Sequence, residues 1–142
     1  MNDLHNNVRT KTVIAPVAIG ANATKTGIVV DRQGYGGVEF VASYGSVTTT
    51  GTVVTLVVKE GDVTGTLTSV ADGDLLGTEV LASLAAGARV AGTGKEVTKR
   101  VGYKGVKRYV SVDAVQTGVT SVGCVGVAAL LHSPYNAPQT NP

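Results

Sequence analysis

Few residues in this chain are equipped for bond-making, and their spacing argues against it. Only two histidines occur among 142 residues, His5 and His132. A nucleophile needs a base, and the base needs a group that orients it. His5 lies in a polar opening stretch and His132 beside a proline-containing close, so neither has a rigid platform. The single cysteine, Cys124, and two distant histidines provide neither metal-ligand spacing nor an intrachain disulfide. Asp72-Gly73-Asp74, with Glu79 beyond, resembles a calcium loop only superficially. The alternating oxygen ligands and the closing glutamate of such a loop are missing. It reads as a solvated turn in which Gly73 takes an unusual φ, with weak Ca²⁺ binding as the alternative. Gly92-Thr93-Gly94-Lys95-Glu96 suggests a phosphate loop, but Arg89 stands where its first glycine belongs. Glu96 stands where a hydroxyl would hold Mg²⁺. Ten acids leave many carboxylate pairs open for glycoside chemistry, yet sugar hydrolases commonly stack substrate on tryptophan and this chain has none. The expectation is a protein without catalytic residues, metal or cofactor.

The remaining candidate is VTKRVGYKGVKRYVSV, Val97 to Val112, which holds five of the twelve Lys and Arg residues. With a bend at Lys104–Gly105 it reads as a β-hairpin. One arm places Val97, Lys99, Val101 and Tyr103 on one side, with Thr98, Arg100 and Gly102 opposite. The other places Val106, Arg108, Val110 and Val112 together, leaving Lys107, Tyr109 and Ser111 opposite. Arg108 among valines must snorkel outward or find an acid. Charges thus cluster on both faces near the bend and form no continuous stripe. Three readings follow, in descending weight: a solvated tip whose charges discourage edge-to-edge pairing, docking on an acidic protein partner, and nucleic-acid binding. Net charge is only +2, so the chain as a whole is no polyanion binder.

These residues must be positioned by strands. The chain has 26 valines, 19 glycines and 18 threonines. β-Branched side chains favour extended backbone, and scattered glycines supply turns and bulges. TVIAPVAI (12–19) reads as a strand, with Pro16 sending it to an edge or a bulge. TGIVVD (26–31) is a second strand and RQGYGG (32–37) a turn. In 38–44, Val38, Phe40, Ala42 and Tyr44 share one side. In 52–60, Val54, Leu56 and Val58 do the same, and this strand is expected to be central. VTGTLTSV (63–70) follows as a strand, then an irregular segment 71–88 with one helical turn near Glu79–Ala85. TSVGCVGVAALL (120–131), apolar on both sides, reads as a buried strand. About eight short strands with turns between them predict an all-β fold, a jelly-roll-like β-sandwich with extended N- and C-terminal arms. The expected divisions are an arm at 1–10, the sandwich at 11–132 and a Pro-rich tail at 133–142. No apolar run reaches membrane-spanning length, and MNDLHNNVRT lacks the apolar core of a leader. A soluble protein made in a reducing cytoplasm is expected.

Four segments carry a family resemblance in this order: KTVIAPVAIGANATKTGIVVDRQGYGGVEFVASYGSV, SVADGDLLGTE, RVGYKGVKRYVSV and VAALLHSPYNAP. Together they resemble the capsid cement, or decoration, proteins of short-tailed bacteriophages, over nearly the whole chain. The resemblance implies a jelly roll with no chemistry of its own, bound to the outer surface of a capsid in the virion after synthesis in the host bacterial cytoplasm. It implies that the chain bridges neighbouring subunits of the major capsid protein and pairs as a homodimer, without nucleic acid, membrane or cofactor. The residues expected to touch a partner are Lys99, Arg100, Lys104, Lys107 and Arg108 of the basic stretch and Tyr135 and Pro138 of the tail. A phage tail or connector component, and a carbohydrate-binding sandwich on the virion, are the alternatives.

Overall fold

The computed structural model describes residues 3–19, 22–45, 51–85, 97–118 and 123–137. Two antiparallel sheets face each other. Sheet A runs β1 (Val8–Ile19), β10 (Gly123–Pro134), β4 (Tyr35–Tyr44), β8 (Val97–Tyr103) and β7 (Leu75–Leu76). Sheet B runs β2 (Thr24–Lys25), β9 (Tyr109–Thr117), β5 (Val53–Gly61) and β6 (Thr68–Ser69). A further short strand, β3 (Val30–Asp31), pairs with β9 beside β2.

With β2 and β3 taken as one interrupted strand and β7 as an extension beside β8, the pairings nest. β1 pairs with β10, β2/β3 with β9, β4 with β8, and β5 with β6. This is one long ribbon folded back on itself and wound so that successive strand pairs alternate between the sheets. The fold is a jelly-roll β-sandwich.

Period-2 patterning fills the space between the sheets. Val38, Phe40, Ala42 and Tyr44 from β4 meet Val54, Leu56 and Val58 from β5, Val110, Val112 and Ala114 from β9, and Val125, Val127, Ala129 and Leu131 from β10, all buried. Full burial of a Val, Leu or Phe side chain contributes roughly 1.5–3 kcal/mol, so the fold stands without a disulfide. Tyr44 is admitted because its hydroxyl donates to Ala82 O at 2.8 Å.

The edges are closed locally. α1 (Glu79–Ala82) follows Gly77, whose φ of 86° suits glycine, and Thr78 Oγ1 accepts from Leu81 N at 3.1 Å. The segment then covers the edge of β5 that the two-residue β6 leaves unpaired. Val58 N donates to the Glu79 carboxylate, Leu56 N to Ser83 Oγ at 2.9 Å, and Val54 N to Leu84 O at 2.9 Å. Two side chains and one backbone bridge thus do the work of a neighbouring strand. On the opposite edge, residues 26–29 leave sheet B and Ile28 N donates to Val13 O at 2.8 Å, stitching the sheets together. Gly27 in that crossing donates to Asp113 Oδ1 at 3.2 Å, and Lys59 Nζ meets the other carboxylate oxygen at 2.6 Å. The buried Asp113 is therefore paired.

Several expectations are corrected. Residues 97–112 are no hairpin: β8 and β9 lie in different sheets, and Lys104–Arg108 crosses between them. Both arms have an apolar inner face, and each sheet needs such a face, so alternation alone did not distinguish the two arrangements. Within 26–31 only Val30–Asp31 is strand, and within 63–70 only Thr68–Ser69. Asp72–Asp74 is a 3₁₀ turn, and the positive φ falls at Gly77 instead of Gly73. β10 is buried on one face only, with Cys124 and Ala128 exposed on the other. Val8–Thr10, expected in an arm, begin β1, and Ser133–Pro134, expected in the tail, end β10. Pro16 does lie in an edge strand, among register shifts between Thr12 and Val17. Among the described residues no helix is long and apolar enough to cross a membrane.

Candidate functional site

The crossing from β8 to β9 brings together side chains far apart in the chain. Arg32, in the turn after β3, is the hub. Its Nε donates to Lys107 O at 2.6 Å, Nη2 to Gly105 O at 2.6 Å and Nη1 to Tyr35 O at 3.0 Å. The guanidinium carbon lies 5.4 Å from the centre of the Tyr103 ring. Tyr103 is fully buried, donates its hydroxyl to the Glu60 carboxylate and accepts from Lys107 N at 3.1 Å. Burial and the Glu60 contact push the Tyr103 phenol well above its ordinary range. Lys104 N donates to Asp74 O at 2.9 Å. Held by two sheets and two turns, the crossing is a clamped platform.

Its charges are mostly neutralised. Lys107 pairs with Asp62, and Arg108 grips Asp31 through Nε at 3.1 Å and Nη2 at 2.7 Å. The Arg108 hydrogen bond holds the Asp31 carboxyl below the usual carboxylate range. Arg108 also lies over the Tyr109 ring, 5.0 Å from its centre. Lys104 has no acidic partner among the described residues. The platform instead presents apolar surface: Val106 is 89% exposed and Tyr135 75%. Tyr135 is placed by its N–H, which donates to Gly34 O at 2.9 Å. Arg32, Gln33, Val106, Arg108 and Tyr135 border a shallow depression of about 240 Å³.

Four of the residues expected to meet a partner therefore converge at this end: Lys104, Lys107, Arg108 and Tyr135. Lys99 and Arg100 do not join them. Lys99 pairs in register with the buried Ala42, and its Nζ donates to Ser83 O at 2.6 Å, capping the chain after α1. Arg100 lies on the outer face of sheet A beside Glu39, with Nε 3.6 Å from the carboxylate. Pro138 lies outside the described residues. The local sequence marks Arg32 only as the start of a turn, and nothing in it points to a hub. Asp31 and Asp62, which neutralise the stretch, were likewise invisible from it.

His132 Nδ1 lies 3.1 Å from its neighbour Ser133 Oγ. Among the described residues, no three His, Cys, Asp or Glu side chains gather as a metal site would require.

The class defined by this architecture is an all-β, jelly-roll sandwich with a clamped loop platform at one end. No protein-family model matches the sequence, and no curated protein matches it. Among solved structures, the crystal structure of PBSX exported protein XepA is similar in fold, with a TM-score of 0.55 at 14% identity. The alignment covers 92% of this chain and 39% of XepA, so the chain spans well under half the length of that neighbour.

Proposed function

We propose that this chain is a structural protein of a phage virion that binds the outside of the assembled capsid. In this reading it bridges neighbouring subunits of the major capsid protein, and two copies pair as a homodimer. The observation that carries the reading is the clamped platform. Val106 projects from backbone held by Arg32 and Tyr135 from backbone tied to Gly34 O, while the adjoining Lys107 and Arg108 already have acidic partners. Exposed apolar and aromatic groups on a rigid base suit the centre of a protein interface, because little ordering entropy is lost on contact. The likeness to a PBSX exported protein supports a phage setting at the level of fold.

Binding the assembled shell and not its separate subunits stabilises the shell by mass action, by about 2.7 kcal/mol per site at a free concentration a hundred times Kd. Gripping two subunits at once raises occupancy through effective concentration, so each contact can be modest. The test uses purified heads lacking the protein. Saturable binding by the wild-type chain is expected, together with at least a tenfold loss of apparent affinity in a Val106→Asp/Tyr135→Ala variant that keeps its melting temperature. Failure of the wild-type chain to bind heads overturns the reading. Recovery of only about a dozen copies per particle would instead mark a connector component.

A further inference from the structure

Sheet A ends at β1, and the outer edge of that strand is incompletely covered. The Ile28 contact closes it at Val13, but between Arg9 and Thr12 no backbone hydrogen bond is made on that side among the described residues. An edge strand turns alternate N–H and C=O groups outward, ready to pair. The side chains here are placed by register. Arg9 lies opposite Leu131 and Lys11 opposite Ala129, and both partners are buried. Residues directly opposite share a face. Arg9 and Lys11 are therefore directed over the inner rim of the sandwich, while Thr10 and Thr12 take the outer side.

Facing that rim is a groove of about 550 Å³, bordered by Arg9, Lys11, Ile28, Asp31, Gln33 and Tyr35. Asp31 on the far wall is occupied by Arg108. Neither Arg9 nor Lys11 has an acidic partner among the described residues. Ile28 stands 61% exposed on the wall, and Leu131 lies beneath. Two uncompensated cations, an apolar wall and a stretch of unpaired backbone edge thus share one channel. Gln33 and Tyr35 border both this groove and the platform depression, so the two surfaces adjoin.

We propose that this groove receives an extended acidic segment of a partner protein, added to sheet A as a strand along Arg9–Thr12 of β1. The geometry specifies the ligand. Side chains on one face of a strand recur every second residue, and Arg9 and Lys11 are two apart. The ligand is therefore acid-x-acid, with x on the outer side beside Thr10, where a Thr or Val suits the strand. At roughly 3.3 Å per residue the open edge is about 13 Å long, enough for four residues. Main-chain hydrogen bonds supply the attachment and the two carboxylates set the register. The proposal goes beyond the shell-binding reading and does not depend on it, because the groove defines its ligand whatever particle carries it.

The test is an NMR titration of the full chain with synthetic peptides of about eight residues. One carries a Thr-Glu-Val-Glu-Thr core, a second has lysines for the glutamates, and a third is the acidic peptide N-methylated at the amides meant to face β1. The acidic peptide is expected to bind with Kd on the order of 100 µM, since a short segment loses its freedom on binding. Shifts are expected at Arg9–Thr12 and Ile28–Asp31. Affinity should fall at least about tenfold in roughly 0.5 M salt, in an Arg9→Glu/Lys11→Glu variant, and on N-methylation. That variant should take the lysine peptide instead. An Arg9→Gln/Lys11→Gln variant guards against misfolding and should bind both peptides weakly. No titration by the acidic peptide, equal binding of the lysine peptide, or indifference to N-methylation would overturn the proposal. Arg9 and Lys11 would then be charges that guard an open edge against unwanted pairing. Failure of the wild-type chain to bind heads would sink the shell reading and leave the peptide result standing.

Discussion

Arg32→Ala tests the clamp directly. The guanidinium makes three short contacts to carbonyl oxygens, at 2.6, 2.6 and 3.0 Å, and stacks on the buried Tyr103 ring. Hydrogen bonds from a charged donor contribute roughly 1.5–3 kcal/mol each, and the site is only partly buried, so the lower end applies. The ring contact adds about 0.5–1 kcal/mol. Fixing an arginine side chain costs up to about 2 kcal/mol of rotamer entropy, which the substitution returns. The net loss is about 3 kcal/mol. For a domain of this length that lowers the melting temperature by about 10 °C. The damage is expected to be local first. The Lys107 amide, which donates to Tyr103 Oη, should exchange with solvent about a hundredfold faster. Arg32→Lys keeps the charge but not the fork that spans Gly105 and Lys107, so it should recover less than half of the loss. Thermal unfolding followed by circular dichroism and amide exchange followed by NMR read both quantities. An Arg32→Ala protein that melts within about 2 °C of wild type, with Lys107 still protected, would refute the clamp.

Two further substitutions probe the packing. Gly27→Ala would set a Cβ 2.1 Å from Val112 O, on the backbone of an interior strand. Relief requires moving the crossing that joins the sheets, and a loss of about 3 kcal/mol or more is expected in denaturant unfolding. Tyr44→Phe leaves Ala82 O without its hydroxyl donor and should cost about 1–2 kcal/mol at neutral pH. Burial raises the Tyr44 phenol above its usual value of 10.0, so its contribution is complete below that pH and lost as pH rises further. Wild type should therefore lose about 1.4 kcal/mol more per pH unit than Tyr44→Phe above pH 10, and the two stabilities should converge. Parallel curves would show that Tyr44 ionises as freely in the fold as out of it.

The basic stretch shows how local reading reaches its limit. Five cations in sixteen residues suggested a charged tip. In the fold, Lys107 meets Asp62, Arg108 meets Asp31, Arg100 leans on Glu39 and Lys99 caps the chain after α1. A count of charges along a segment is silent about acids delivered from 45 and 77 positions away. Val106 counted as one more valine of an alternating arm. It is exposed because the arm is a crossing between sheets.

The alternation in residues 38–44 and 52–60 by itself determined two buried faces, and valine, threonine and glycine content determined an all-β chain. Those properties are local: a strand's side chains alternate whatever it pairs with, and β-branching acts on its own residue's backbone. Pro16 was legible for the same reason, since a missing N–H restricts a strand wherever it lies. Only the tertiary structure decided which faces oppose each other, that β8 and β9 part into different sheets, and that Arg32 holds the crossing. Pairing such as that of Val8 with His132 joins opposite ends of the chain, and all strands with one apolar face compete for it on nearly equal terms. The winner is set by simultaneous closure of both sheets around one core, which no segment contains.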